Sequence, residues 1–154
     1  MMKTTAMYNP QEASQVRQQF WTTLGQYLTP IPSATGLKVN WINYKTGVKA
    51  IRFKMDVLQK HAFAGVEING TAETRSDLYR MFLLLKQDFP HSYTWLEATD
   101  NADGKSVSRI YKSLHGFTPL NKAHWPELIA FLKEQIIAFD GFWALHNEVF
   151  KMNA

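Results

Sequence analysis

Apolar residues alternate with polar ones on both sides of a short turn in residues 51–69, and this alternation constrains the fold more than any other feature. The apolar set is Ile51, Phe53, Met55 and Val57 before the turn, and Ala62, Ala64, Val66 and Ile68 after it. A turn centred on Gln59-Lys60 pairs Ile51 with Ile68, which places the whole set on one side of two antiparallel strands. Because a slip of one residue would turn one strand's apolar side chains to the other side, the pattern predicts this register.

Three further strands are predicted around this hairpin. Residues 38–44 alternate in the same way, and Lys45-Thr46-Gly47 is typical of a hairpin turn, which would pair Trp41 with Ile51. Two more strands are predicted over residues 91–98 and 107–114, on either side of the polar turn 99–104. We therefore expect five strands, mainly antiparallel.

Helical spacing of apolar residues predicts three helices. The first runs from Pro10 to Leu28, with Asn9 as its cap and Glu12 completing a capping box. The second is expected to be capped by Thr74 and stopped by Pro90. The third extends from the turn that contains Pro126 to about Phe150, with a weak point at Gly141 where it could bend.

The predicted order is α-β-β-β-α-β-β-α, which is typical of an α+β fold with a five-stranded antiparallel sheet and helices packed on one face. A length of 154 residues fits one domain, which we place at residues 9–154 after a flexible tail at residues 1–8. The chain has no cysteine, which excludes disulfides, thiolate zinc sites, iron–sulfur clusters and cysteine nucleophiles. Since neither a signal peptide nor a membrane span is evident, a cytoplasmic protein without membrane contacts is expected.

The predicted register also defines a polar side of the sheet, and that side is basic. Residues 38–60 contain six basic side chains and one acidic one. Clustered basic residues near aromatic ones favour nucleic acid or another anionic partner. The expected binding residues are Lys38, Asn40, Tyr44, Arg52, Lys54 and Asn69. In this register Asn40, Arg52 and Glu67 form one row, and we expect Arg52 to hold Glu67 by an ion pair.

Asp56 and Glu67 are the candidate catalytic residues, because paired carboxylates bind the metal in phosphodiester hydrolysis. The register places Asp56 opposite Phe63, about 13 Å along the strand from Glu67, which is too far to share one ion. We therefore predict no catalytic residue and no metal or other cofactor; a divalent metal would be needed only if the protein were a nuclease. The histidines lack metal-ligand spacing, and serine-nucleophile and phosphate-loop motifs are absent.

Four motifs resemble a bacterial family, domain-of-unknown-function family 4268. They are Arg17-Gln18-Gln19-Phe20-Trp21, the run from Asn40 to Lys49, Val66-Glu67-Ile68, and Trp125-Pro126-Glu127. The resemblance extends from about Val16 to Phe150. It implies no established activity, and it implies relatives that occur alone or attached to larger bacterial proteins, some of them nuclease-like.

The order α-β-β-β-α-β also resembles the core of PD-(D/E)xK nucleases, which implies a metal site at Asp56 and at Glu67-Ile68-Asn69. Asn69 stands where that superfamily has a lysine, as in a degenerate member. The expected function is a non-catalytic, nuclease-like accessory domain that binds nucleic acid or another anionic partner. The alternatives are an interaction or dimerisation module, as a homodimer or with a fused or associated protein, and a metal-dependent nuclease.

Overall fold

Helices and strands follow one another in the order α-β-β-α-β-β-α in the computed structural model, which describes residues 8–89 and 92–153. The elements are α1 (Pro10–Leu28), β1 (Ile51–Val57), β2 (His61–Ile68), α2 (Ala72–Leu84), β3 (Thr94–Asp100), β4 (Ser106–His115) and α3 (Trp125–Met152). Residues 1–7 of the expected tail lie outside the described residues, as do Pro90, the expected helix stop, and His91, the expected start of a strand. None of the described helices combines the length and the apolar character needed to cross a membrane.

In the described part of the chain, the sheet has four antiparallel strands in the order β1-β2-β4-β3. The predicted hairpin register is confirmed, since Ile51 pairs with Ile68 and Phe53 pairs with Val66. The structure adds β4 on the other side of β2, with Ile110 opposite Val66. β2 and β4 are therefore the central strands, and β1 and β3 are the edges.

The predicted strand over residues 38–44 does not form, so the expectation of five strands was wrong. Residues 29–50 instead make a long irregular connection between α1 and β1. Trp41 is 3% exposed, but it is buried within this connection, where its indole nitrogen donates to the Ile31 carbonyl at 2.9 Å. Trp41, which the alternation of residues 38–44 had placed on a strand opposite Ile51, is thus buried by tertiary packing instead. The nuclease-like order required this strand, and the structure has two strands rather than three between α1 and α2.

Local capping signals set the helix boundaries. The Asn9 side chain accepts from the Glu12 backbone at 2.8 Å and Glu12 accepts from the Asn9 backbone at 3.1 Å, so the predicted capping box and the bounds of α1 are confirmed. The cap of α2 is Thr71 rather than Thr74. α3 continues through Gly141 without a break, because buried side chains on both sides of the glycine, among them Phe139 and Phe142, hold the helix against the core.

The helices pack on the face of the sheet that carries Phe53, which we call the inner face. The Phe53 ring lies 5.6 Å from that of Phe139 and 5.7 Å from that of Trp143, both on α3. α2 joins the same core through Phe82, whose ring is 5.7 Å from that of Phe142. Among the described residues, ring contacts between helices and strands involve only Phe53 and Trp95, both inner-face side chains.

The opposite side is the outer face. Directly paired residues project to the same side of a sheet and successive residues alternate, so the register assigns its members. They are Arg52, Lys54 and Asp56 of β1, Phe63, Gly65 and Glu67 of β2, Arg109, Tyr111 and Ser113 of β4, and Thr94 and Leu96 of β3.

Candidate functional site

The outer face arranges its side chains in three rows across β1, β2 and β4. The rows are Arg52–Glu67–Arg109, Lys54–Gly65–Tyr111 and Asp56–Phe63–Ser113. Each row joins side chains of the β1–β2 hairpin to a side chain of β4, which α2 and β3 separate from β2 in the chain. The rows bring cations, aromatic rings and two carboxylates onto one surface.

A buried ion pair lies in the first row. Glu67 accepts from Arg109 at 3.0 Å, and the side chains of Glu67 and Arg109 are 4% and 17% exposed. The guanidinium carbon of Arg109 lies 5.6 Å from the centre of the Phe63 ring, within the range of a cation–π contact. The carboxylate therefore fixes the guanidinium, and the guanidinium in turn lies over an aromatic ring.

The expected partner of Glu67 was wrong. Arg52 lies directly opposite Glu67, as predicted, but the carboxylate is held by Arg109 on the other neighbouring strand. Asn40, the third member of the predicted row, lies in the irregular connection and not on the sheet. The sequence indicated only that Arg109 lies on a strand and on the side opposite to Ile110. That this strand lies next to β2, with Arg109 opposite Glu67, follows from the tertiary fold.

Two cations on β1 remain available to a partner. Within residues 8–89 and 92–153, neither Arg52 nor Lys54 makes a side-chain hydrogen bond or an ion pair. Arg52 is exposed and Lys54 is partly buried. Lys49 is exposed two residues before β1 begins, which adds a third cation at this edge of the sheet.

Two aromatic side chains lie on the central strands of the outer face. Phe63 of β2 and Tyr111 of β4 are partly buried. Tyr111 lies opposite Gly65, where a Cβ atom would come within 2.7 Å of the Tyr111 Cβ. The glycine thus permits the close approach of the two strands and leaves no side chain of its own beside the Tyr111 ring.

Three of the predicted binding residues lie away from the outer face. Lys38 and Asn40 line a groove of about 300 Å³ against the end of α1. Tyr44 packs on the inner side, with its ring 5.0 Å from that of Phe53 and its hydroxyl donating to Asp140 of α3. Burial, reinforced by the hydrogen bond to Asp140, raises the pKa of Tyr44 above its ordinary value of 10.0.

Asn69 follows β2, and its backbone nitrogen donates to the Ala50 carbonyl at 2.7 Å. The side-chain oxygen of Asp56 accepts from its own neighbour, the Val57 backbone, at 2.9 Å. Asp56 lies opposite Phe63, so the predicted separation from Glu67 follows from the observed register. The described part of the chain contains no cluster of three or more His, Cys, Asp or Glu residues able to hold a metal ion.

Asp140 is a buried polar centre that the sequence reasoning missed. Its carboxylate is 1% exposed and accepts from the Ser33 hydroxyl and the Ala34 backbone, both at 2.7 Å, as well as from Tyr44. These bonds tie the irregular connection to α3. The sequence did contain an indication of this role. Asp140 lies between Ile136 and Trp143 at helical spacing, so it is an acid on the apolar side of a helix, where a carboxylate is rarely buried unless it has partners.

Comparison with known proteins identifies one family. The family model described as Domain of unknown function (DUF4268) matches residues 16–147. Searches of curated proteins and of solved structures found no match.

Proposed function

The chain belongs to the family described as Domain of unknown function (DUF4268), and we propose that it is a nucleic-acid-binding domain that uses the outer face of its sheet. One observation carries the proposal: free cations at the β1 edge adjoin aromatic side chains on the two central strands. Cations that meet phosphates, next to rings that meet sugars or bases, form the usual chemistry of such surfaces.

The charge distribution supports phosphate binding at β1. Arg52 and Lys54 are two residues apart and project from the same side of the strand, with a spacing of about 6.6 Å. Glu67 on the neighbouring strand does not compensate them, because its carboxylate is already paired with Arg109. The cations Lys49, Arg52 and Lys54 outnumber the single carboxylate of this edge, Asp56, so the edge keeps a positive charge that attracts a polyanion at long range.

The proposal is one of binding rather than catalysis. Asp56 and Glu67 lie in different rows, and each carboxylate is engaged within the fold, by Val57 and by Arg109. An accessory role, in which the domain holds nucleic acid for chemistry performed elsewhere, fits this arrangement. It needs neither a bound metal nor a nuclease fold.

Salt-dependent titration tests the proposal. A labelled oligonucleotide is titrated with the native protein, Arg52→Ala and Lys54→Ala at several salt concentrations. Each loss of a phosphate contact should weaken binding and reduce the slope of log affinity against log salt by about one. Arg80→Ala on α2 and Lys133→Ala on α3, which lie away from the outer face, are the matched controls. Absence of binding at low salt, or equal losses in all four variants, would overturn the proposal.

A second candidate function is protein association through α3. Leu145, Val149 and Met152 recur at helical spacing and are 75%, 45% and 80% exposed. Exposed apolar stripes of this kind often mark an interaction surface. If α3 mediates self-association, sedimentation should show a dimer that Leu145→Glu abolishes and Leu37→Glu, at a leucine that is 68% exposed in the irregular connection, preserves.

A further inference from the structure

We infer that the ligand of the outer face is single-stranded nucleic acid, with successive bases stacked on Phe63 and Tyr111. This inference rests on the proposed binding function and names its substrate class. Bases within a duplex are stacked on one another, so aromatic side chains reach their flat faces only where a strand is unpaired. The arrangement of rings, small residues and charges on the sheet carries the inference.

The two rings lie on neighbouring central strands and are offset by two residues along the strands. Phe63 lies opposite Ser113 and Tyr111 lies opposite Gly65, so the two aromatic residues are diagonal neighbours, about 7–8 Å apart. Each ring therefore has one small cross-strand partner between the two central strands, while Asp56 of β1 flanks Phe63 and Thr94 of β3 flanks Tyr111 on the other side. Both side chains are partly exposed, and a base would stack on the part of each ring that faces solvent.

Stacking and charge occupy different strands. Arg52 and Lys54 lie on β1, whereas Phe63 and Tyr111 lie on β2 and β4. Adjacent strands are about 4.8 Å apart, so phosphates held at β1 would have their bases directed inward across the sheet. Some RNA-binding domains use a four-stranded sheet whose aromatic side chains stack two or three unpaired bases in this manner.

Glu67 is a positioning residue in this arrangement. Its carboxylate neutralises Arg109 and holds the guanidinium against Phe63. Because Arg109 is paired with Glu67, it is not free to bind a phosphate. Its guanidinium instead adds a flat surface beside the Phe63 ring, since guanidinium planes also stack on bases. The outer face thus has free cations at Arg52 and Lys54 beside an ion pair without net charge, which suits a strand whose bases are splayed out.

Three probes of about twelve nucleotides test the inference: an oligothymidine single strand, a duplex, and an abasic strand that retains only sugar and phosphate. The native protein should bind oligothymidine more tightly than either of the other two. Phe63→Leu and Tyr111→Leu should each weaken oligothymidine binding by about 5- to 150-fold and leave abasic binding unchanged. Tyr27→Leu, at a tyrosine that is 59% exposed on α1, is the matched control and should change neither affinity.

Proton NMR of the native protein gives a second readout that needs no substitution. Ring protons of Phe63 and Tyr111 should shift upfield on addition of oligothymidine and not on addition of the abasic strand. Equal affinity for the duplex or the abasic strand, or unshifted ring protons in the oligothymidine complex, would overturn the single-strand inference while leaving nucleic-acid binding in place. Absence of binding to all three probes at low salt would remove the proposed function itself, and the inference with it.

Discussion

Glu67 and Arg109 form an ion pair at 3.0 Å on the side of the sheet that faces away from the helices. The carboxylate belongs to β2 and the guanidinium to β4, so the pair bridges the two central strands. Arg109 Nε is buried and has no partner among the described residues, which makes the guanidinium dependent on the single carboxylate. The pair therefore stabilises the strand order as well as the shape of the outer face.

Glu67→Gln should destabilise the fold, because it leaves a largely buried guanidinium without a counter-charge. Loss of one partner of a fully buried pair costs about 3–5 kcal/mol, and the partial exposure of Arg109 reduces the expected loss to about 1–3 kcal/mol. Urea unfolding measures this change in the free energy of unfolding. Asp56→Asn, on the same face but outside the pair, should change it by no more than about 0.5 kcal/mol, and a similar loss in both variants would contradict the prediction.

Asp140→Ala should release the irregular connection at residues 29–50 from α3. The substitution leaves the Ser33 hydroxyl and the Ala34 amide without their buried acceptor, at a cost on the order of 3 kcal/mol. Tyr44→Phe removes one donor and keeps the ring, so its cost should be about 1 kcal/mol. Urea unfolding and hydrogen exchange at residues 29–50 report the two effects. Unchanged exchange in Asp140→Ala would refute the anchoring role.

Stability should fall as the pH rises above about 10. Burial raises the pKa of both Tyr44 and Tyr93 above the ordinary value of 10.0, so the folded protein keeps protons that the unfolded chain releases. A raised folded-state pKa contributes stability that is complete below the unfolded pKa and declines above it. Unfolding free energies compared at pH 8 and pH 11 should show a smaller decline for Tyr44→Phe and Tyr93→Phe than for the native chain. An equal decline in all three proteins would exclude these tyrosines as the cause.

Two glycine-to-alanine substitutions should change the stability of the fold in opposite directions. At Gly65 the new Cβ would lie 2.7 Å from the Tyr111 Cβ and 2.9 Å from the Ile110 carbonyl oxygen, so strands β2 and β4 must separate at a cost of about 1–3 kcal/mol. At Gly141 nothing lies within 4 Å, and alanine favours the helix by about 0.5–1 kcal/mol. Thermal unfolding of both variants checks the prediction. A melting temperature of Gly65→Ala at or above the native value would show that the strands can adjust.

Local patterns accounted for much of the fold. The β1–β2 register followed from alternation around one turn, because a slip would expose an entire apolar set. The start of α1 followed from the capping box of Asn9 and Glu12, whose partners are three residues apart. In both cases the interacting groups are close in the chain, so the residues themselves determine the geometry.

The candidate site was predicted only in part. Arg52 and Lys54 were identified on the correct side of the sheet, since that follows from the register of a local hairpin. Lys38, Asn40 and Tyr44 were placed there with them because residues 38–44 alternate as a strand would. These residues instead belong to an irregular connection, which hydrogen bonds fix to the Asp140 carboxylate, more than 90 residues further along the chain.

The sequence by itself determined which side chains alternate, where the helices begin, and which face of the first hairpin is polar, since these depend on backbone periodicity and local hydrogen bonds. Only the tertiary structure decided that β4 adjoins β2, that Glu67 is paired with Arg109, and that Phe63 and Tyr111 share one surface. Those contacts join residues about 40 or more positions apart. Their formation depends on how the helices and strands pack as a whole, because burial of the common core selects one strand order among those that the local patterns allow.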